Sequence, residues 1–308
     1  TLMSLKILFM GTPEFSVPTL ESIYKSNHKL LAVYTQPPKK KSRGQKILES
    51  PVHKISKKLN LNIRHPKNLN HEEELNFIKN LAPNIIVVAA YGQIISEKIL
   101  DIGNIDFINI HASLLPKWRG AAPIQRAIME MDKETGITIM KIIPKLDSGP
   151  YMLQKKIEIK KNENHESLGK KLAVLGAELI IKSLDLIEAK KAEYISQEDF
   201  SASYAKKITK KECQIKWNIP AKNLVAKING LSPSPGAWFN HNNNRLKIIK
   251  AEEINIAGKI GEIIDDNLTI GCLKNSIRIL EIQKEGKKIL NATEFLDGYN
   301  IKKGEIIN

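Results

Sequence analysis

Cysteine is nearly absent: only Cys213 and Cys272 occur in 308 residues, far apart and outside any Cys-x-x-Cys spacing. That excludes a disulfide framework and a thiolate zinc site, and it fits a reducing cytoplasm. Long apolar runs are missing as well. Nothing approaches the roughly 20 uninterrupted apolar residues of a membrane span, and the run Leu5 to Met10 is too short for a signal peptide. No membrane partner is expected. Seven histidines are present, none paired at helical spacing with a nearby carboxylate, so no metal is expected either. Acid is the minority charge, with 33 Asp and Glu against 48 Lys and Arg, a formal +15. Such a surplus favours a polyanion such as nucleic acid, and a lysine-rich solvated surface is the plainer alternative. Dividing the chain after Lys206 leaves 31 basic and 22 acidic residues before it and 17 and 11 after it, so the excess is spread over the chain.

What is there is a chain long enough for two domains. Leu5 to Met10 ends at Gly11, and Ser16 followed by Val17-Pro18 reads as a helix cap with proline in the first turn. Leu30 to Tyr34, Asn84 to Ala90 and Phe107 to His111 are further buried strands, alternating with helices that start at Ser50-Pro51 and at Asn70 before three glutamates. That alternation predicts a doubly wound α/β domain, Rossmann-like, with a mostly parallel sheet. Leu168, Leu172, Leu175, Leu179 and Leu186 mark a helix with one apolar stripe. From about Lys207, short apolar runs broken by Gly, Asn and Asp predict a smaller β-barrel, OB-like in architecture. The expected division is 3–190, a linker 191–206, and 207–308.

Between the second strand and its helix, Thr35 to Lys46 carries five basic residues, Lys39, Lys40, Lys41, Arg43 and Lys46, and no acid. The βα loops of such folds usually run about 2 to 6 residues, so this one is long. It also leaves the carboxyl end of a strand, where ligands bind in open α/β sheets. It is suited to holding a phosphate backbone, as is the basic strip around Lys206 and Lys207, for which a solvated linker is an equal alternative.

Asn109 and His111 stand two apart on a strand, so their side chains leave the same face at its carboxyl end. A carboxamide N–H can stabilise an oxyanion, and an imidazole can donate to the same oxygen or exchange protons with an amine, which is what acyl transfer to an amine requires. Alone, the pair is weak evidence. Leu146-Asp147-Ser148-Gly149-Pro150 forms a turn that presents Asp147, either as a turn former or as a partner of His111. Gly11-Thr12-Pro13 lacks the later glycines of a dinucleotide fingerprint, and no acid ends the second strand, so no nicotinamide cofactor is expected. Trp217 reads as core, while Trp238 is open between core and nucleotide stacking.

Gly11-Thr12-Pro13-Glu14-Phe15, Asn109 to Pro116, Trp118 to Pro123, Leu146 to Gly149, Leu231 to Phe239 and Phe295 to Tyr299 together resemble the methionyl-tRNA formyltransferase family, from about Lys6 to the end of the chain. The resemblance implies transfer of the formyl group of 10-formyltetrahydrofolate to the α-amino group of methionyl initiator tRNA, the step preceding translation initiation. It carries over Asn109, His111 and Asp147 as the catalytic set and Ser113, Leu114, Leu115 and Pro116 as a folate-contacting loop. The segment Tyr91-Gly92-Gln93-Ile94 is implied at the pterin pocket. The basic loop corresponds to the family's tRNA-inserting loop with Arg43 as its important arginine, and 207–308 to a tRNA-binding domain. Where the family commonly has an acid and more glycine, this chain has Pro38 and three lysines. A monomer is expected. The rivals are an enzyme formylating a small amine and an RNA-binding module without catalysis; the basic loop and second domain oppose the first.

Overall fold

The apolar runs of the first half become neighbours in one sheet. The computed structural model describes residues 4–40 and 47–307. Strands β1 (Lys6–Gly11), β2 (Lys29–Tyr34), β3 (Ile63–Arg64), β4 (Ile85–Ala89), β5 (Asp106–His111), β6 (Glu134–Lys141) and β7 (Tyr151–Glu158) are arranged in the order β7-β6-β5-β4-β1-β2-β3. The pairs β1–β2, β1–β4, β2–β3 and β4–β5 are parallel, and β5–β6 is antiparallel. The sheet is therefore mostly parallel, as the sequence predicts. All five residues of β4 are buried, the pattern of a strand covered on both faces.

Helices α1 (Val17–Lys25), α2 (Pro51–Lys58) and α3 (Glu72–Leu81) connect the parallel strands. Ser50 caps α2, its hydroxyl accepting from the His53 amide at 3.0 Å with Pro51 in the first turn. Ser16 does not cap α1. Its hydroxyl donates to the Ala89 carbonyl and so ties the end of β1 to the end of β4. Asn70 likewise does not cap α3: its carboxamide donates to Ile94 O and accepts from Ser96 N, fastening the loop after β4. In both cases a tertiary partner outcompetes the local one.

The β2–β3–α3 corner is held by a buried ion pair. Arg64 forks onto Glu74 through Nε and Nη2, each at 2.7 Å, and Tyr34 donates to the same carboxylate at 2.6 Å. The guanidinium also lies 4.2 Å from the centre of the Phe77 ring. Burial alone would raise the Glu74 carboxyl, but its hydrogen bonds to Arg64 and Tyr34 win and hold it below the usual range.

The chain divides into two compact units, one of Thr1–Gly120, Thr135–Ile157 and Gly169–Tyr204, the other of Ala121–Glu134, Glu158–Leu168 and Ala205–Asn308. Further helices are α4 (Pro123–Met129), α5 (His165–Glu188), α6 (Ala221–Leu231) and α7 (Ala292–Gly298). The second unit has an antiparallel sheet in the order β8 (Ala237–His241), β9 (Asn244–Ile254), β11 (Ser276–Lys284), β10 (Thr269–Gly271), with β12 (Ile289–Asn291) pairing β11. Among the described residues, the short apolar run Gly261 to Ile264 makes only isolated bridges. Helix α6, which the sequence reading passed over, buries Leu224, Ile228 and Leu231 with Phe239, Leu246 and Ile248. Trp217 belongs to this core, 4% exposed, while the partly exposed Trp238 ring carries the Arg245 guanidinium at 3.9 Å. Among the described residues, no helix is long and apolar enough to cross a membrane.

Candidate active site

The chain runs from β1 outward through β2 to β3, then returns to β4 on the other side of β1. The loops after β1 and β4 therefore part at a switch point, where open α/β sheets form a ligand crevice. Polar bonds knit that rim. Thr12 Oγ1 donates to Tyr91 O at 2.7 Å and accepts from Gln36 N at 3.2 Å, while Gln93 accepts from Leu69 N and donates to Pro66 O. Of the residues proposed for the pterin pocket, Tyr91 is 2% exposed and packs in the core, Gly92 holds φ +93°, and Ile94 is 85% exposed. Their exposure thus differs widely; Gln93 is the residue whose hydrogen bonds fasten the loop.

Asn109 and His111 lie at the carboxyl end of β5, opposite Met140 and Thr138 of β6. His111 is buried, and its Nε2 lies 2.8 Å from the Trp118 carbonyl. A carbonyl only accepts, so Nε2 carries the proton and Nδ1 is the nitrogen free to exchange one. Nδ1 faces Asp147 Oδ2 at 3.8 Å. The residue Asp147 adopts φ +45°, a left-handed conformation uncommon outside glycine, and its Oδ2 accepts from the Gly120 amide at 2.8 Å. Two positions on, Gly149 is obligatory, since a Cβ there would stand 1.9 Å from Lys141 O. The structure thus brings His111, at the end of β5, within 3.8 Å of the carboxylate of Asp147, on the turn after β6, a separation longer than a direct hydrogen bond.

The segment between them is fastened by side chains that sequence reasoning missed. Thr138 Oγ1 donates to Ser113 O at 2.7 Å and accepts from Leu115 N at 3.1 Å, and Gln154 donates to Leu115 O at 2.8 Å. Ser113 is fully buried and bonds Lys117 O, and Leu115 is 3% exposed, so Leu114 and Pro116 are the members of that quartet with accessible side-chain surface. Alternation along β6 opposite His111 was the available signal for Thr138; nothing local pointed to Gln154.

In the basic loop, Lys39 and Lys40 form a two-residue strand paired with Ile47–Leu48, all four exposed. Lys41, Arg43 and Lys46 lie outside the described residues. Lys206 and Lys207 are exposed, and the Lys206 carbonyl accepts from Arg126. Among the described residues one trio, His28, Asp185 and Glu188, brings potential metal ligands within 4.8 Å of one another. There the Leu5 amide approaches His28 Nδ1 at 3.4 Å, which leaves Nε2 protonated toward Asp185, also at 3.4 Å. That is the hydrogen-bonding geometry of a neutral imidazole beside a carboxylate.

Residues 5–184 match the family described as Formyl transferase, and residues 207–300 the one described as Formyl transferase, C-terminal domain. The chain is 50% identical over 307 residues to the methionyl-tRNA formyltransferase of Pelagibacter ubique, covering 99% of both chains. To that of Caldanaerobacter subterraneus it is 41% identical, covering 98% of this chain and 100% of the relative. Among solved structures, the sugar 3N-formyl transferase WlaRD shares the fold with a TM-score of 0.68 at 20% identity, over 93% of this chain and 100% of that one. HypX from Aquifex aeolicus, crystallised with tetrahydrofolic acid, matches with a TM-score of 0.68 at 15% identity over 99% of this chain, which spans about half of HypX, 51% of its length.

Proposed function

Since the chain belongs to the methionyl-tRNA formyltransferase family, we propose that it transfers a formyl group from a folate co-substrate to the α-amino group of methionyl initiator tRNA, giving the N-formyl form used to begin translation. Within that reading the donor is 10-formyltetrahydrofolate. The amine nitrogen attacks the formyl carbon, the tetrahedral oxyanion is held by the Asn109 carboxamide and, once it has taken the amine's proton, by His111 Nδ1–H, the carbon–N10 bond breaks, and N10 leaves with that proton. The amine loses its own proton toward the gap between His111 Nδ1 and Asp147. The observation that carries this assignment is that 3.8 Å separation, with Nε2 already committed to Trp118 O.

Substrate selection follows the same logic. The basic residues Lys39, Lys40, Lys41, Arg43, Lys46, Lys206 and Lys207 contact tRNA phosphates, and Leu114, Pro116 and the rim around Tyr91 to Ile94 face the folate. We take the C-terminal antiparallel sheet as part of an OB-like barrel that binds tRNA, the boundary as a linker over 191–206, and the working protein as a metal-free cytoplasmic monomer.

The test is formyl incorporation into charged initiator tRNA by the purified protein. Robust transfer to the tRNA is expected. Formylation of a small amine with none of the tRNA would overturn the substrate, and full turnover after His111→Ala would overturn the catalytic assignment.

A further inference from the structure

Asp147 holds a left-handed backbone conformation, which costs on the order of 1 kcal/mol or more for a non-glycine residue and persists where its surroundings hold it. What holds it is Gln197. Its Nε2 donates to Asp147 O at 2.9 Å and to Gly149 O at 2.7 Å, so one carboxamide spans the turn that carries the carboxylate. On its other side Oε1 accepts from Arg119 Nε at 3.1 Å and Nη2 at 3.0 Å. The partners fix the orientation of the carboxamide, because the carbonyls only accept and the guanidinium only donates.

Arg119 is an unusual choice for such a task if stability were the purpose. Its side chain is 0% exposed, and Nη1 is buried without a hydrogen-bond partner among the described residues. Burying a cation while leaving a donor unpaired is unfavourable. Its carboxylate partner among the described residues, Asp199 at 2.9 Å, is itself largely exposed and shared with Lys145. The guanidinium is flanked in sequence by the carbonyl of Trp118, which meets His111, and by the amide of Gly120, which meets Asp147. Gln197 is thus anchored to the segment that already contacts both members of the proton-transferring pair.

We infer that Gln197, held by the buried Arg119, is a positioning residue for formyl transfer: it clamps the Asp147–Gly149 turn so that the Asp147 carboxylate faces His111 Nδ1. The inference rests on the catalytic reading of Asp147. Gln197 touches no reacting atom, so its loss acts through the placement of Asp147, and misplacement on the ångström scale costs roughly 10- to 100-fold in rate.

The test is a double-mutant cycle under single-turnover conditions with Gln197→Leu, Asp147→Asn and the pair, with thermal unfolding as a control for folding. Gln197→Leu is expected to lower the transfer rate roughly 10- to 100-fold while the KM values for tRNA and folate stay within about twofold, and to cause no further loss in the Asp147→Asn background. Gln197→Glu, which keeps the arginine contact but loses both donors to the turn, is expected to lose rate similarly and serves as the second variant should the leucine protein fail to fold. Losses that multiply across the cycle, or a Gln197→Glu enzyme as fast as the unaltered one, would overturn the clamp alone. An Asp147→Asn enzyme of undiminished rate would instead overturn the catalytic reading beneath it.

Discussion

His111 illustrates how a neighbour decides which atom is left for the proposed chemistry. With Nε2 donated to the Trp118 carbonyl, Nδ1 alone is left to work with Asp147. His111→Ala is therefore expected to lower the single-turnover rate by roughly 100- to 10,000-fold, the range for removing a general acid–base group, with folate affinity nearly unchanged by equilibrium binding. Gly149 belongs to the same turn and answers to sterics alone. Adding one methyl places it against Lys141 O at 1.9 Å, so Gly149→Ala should destabilise the protein by more than about 2 kcal/mol in denaturant titration. A loss under about 0.5 kcal/mol, the scale of a neutral surface change, would contradict the steric account.

Among the elements, the corner where α3 meets β2 and β3 depends on Arg64 and Glu74. Removing one member of a buried pair strands the other, so Arg64→Met should cost about 3 kcal/mol by chemical denaturation. The pH dependence has a definite sign. The Glu74 carboxyl is depressed in the folded state, so its contribution is complete above the unfolded carboxylate value of about 4.3 and fades as pH falls through the lower folded value. The stability gap between the natural protein and Glu74→Gln is expected to narrow on acidification below that point, and a gap that widened would contradict the assignment. The elements themselves were largely legible in sequence. β1, β2 and β4 are nearly continuous apolar runs, β5 is one broken by Asn109, and Ser50-Pro51 announces α2 by local chemistry. Ser16 and Asn70 misled because their partners, Ala89 and Ile94, lie 73 and 24 residues away. Helix α6 was missed although Leu224, Ile228 and Leu231 keep helical spacing, because the surrounding short strands dominated the pattern.

Over the whole molecule, the distributed +15 charge and the long basic loop make one prediction about binding. The logarithm of tRNA affinity should fall linearly with the logarithm of salt through counterion release, and Arg43→Ala should weaken tRNA binding and reduce that slope by about one, with folate binding kept. A slope near zero in filter binding at several salt concentrations would count against phosphate contacts. The sequence displayed the proposed catalytic trio at this scale because the roles assigned to Asn109, His111 and Asp147 belong to side chains. What holds them was not readable, since Thr138, Gln154 and Gln197 are ordinary polar residues until folding sets them against particular backbone groups. The triplet Trp118-Arg119-Gly120 carries this to its limit, meeting His111 with a carbonyl, Gln197 with a guanidinium and Asp147 with an amide. An alanine scan sees only the middle contact: at Gly120, with φ +118°, it would register conformational strain instead, and at Trp118 the loss of the indole. To delete the Gly120 N–H itself requires replacing that peptide bond by an ester, so at this centre part of the machinery is written in the main chain, beyond the reach of codon changes.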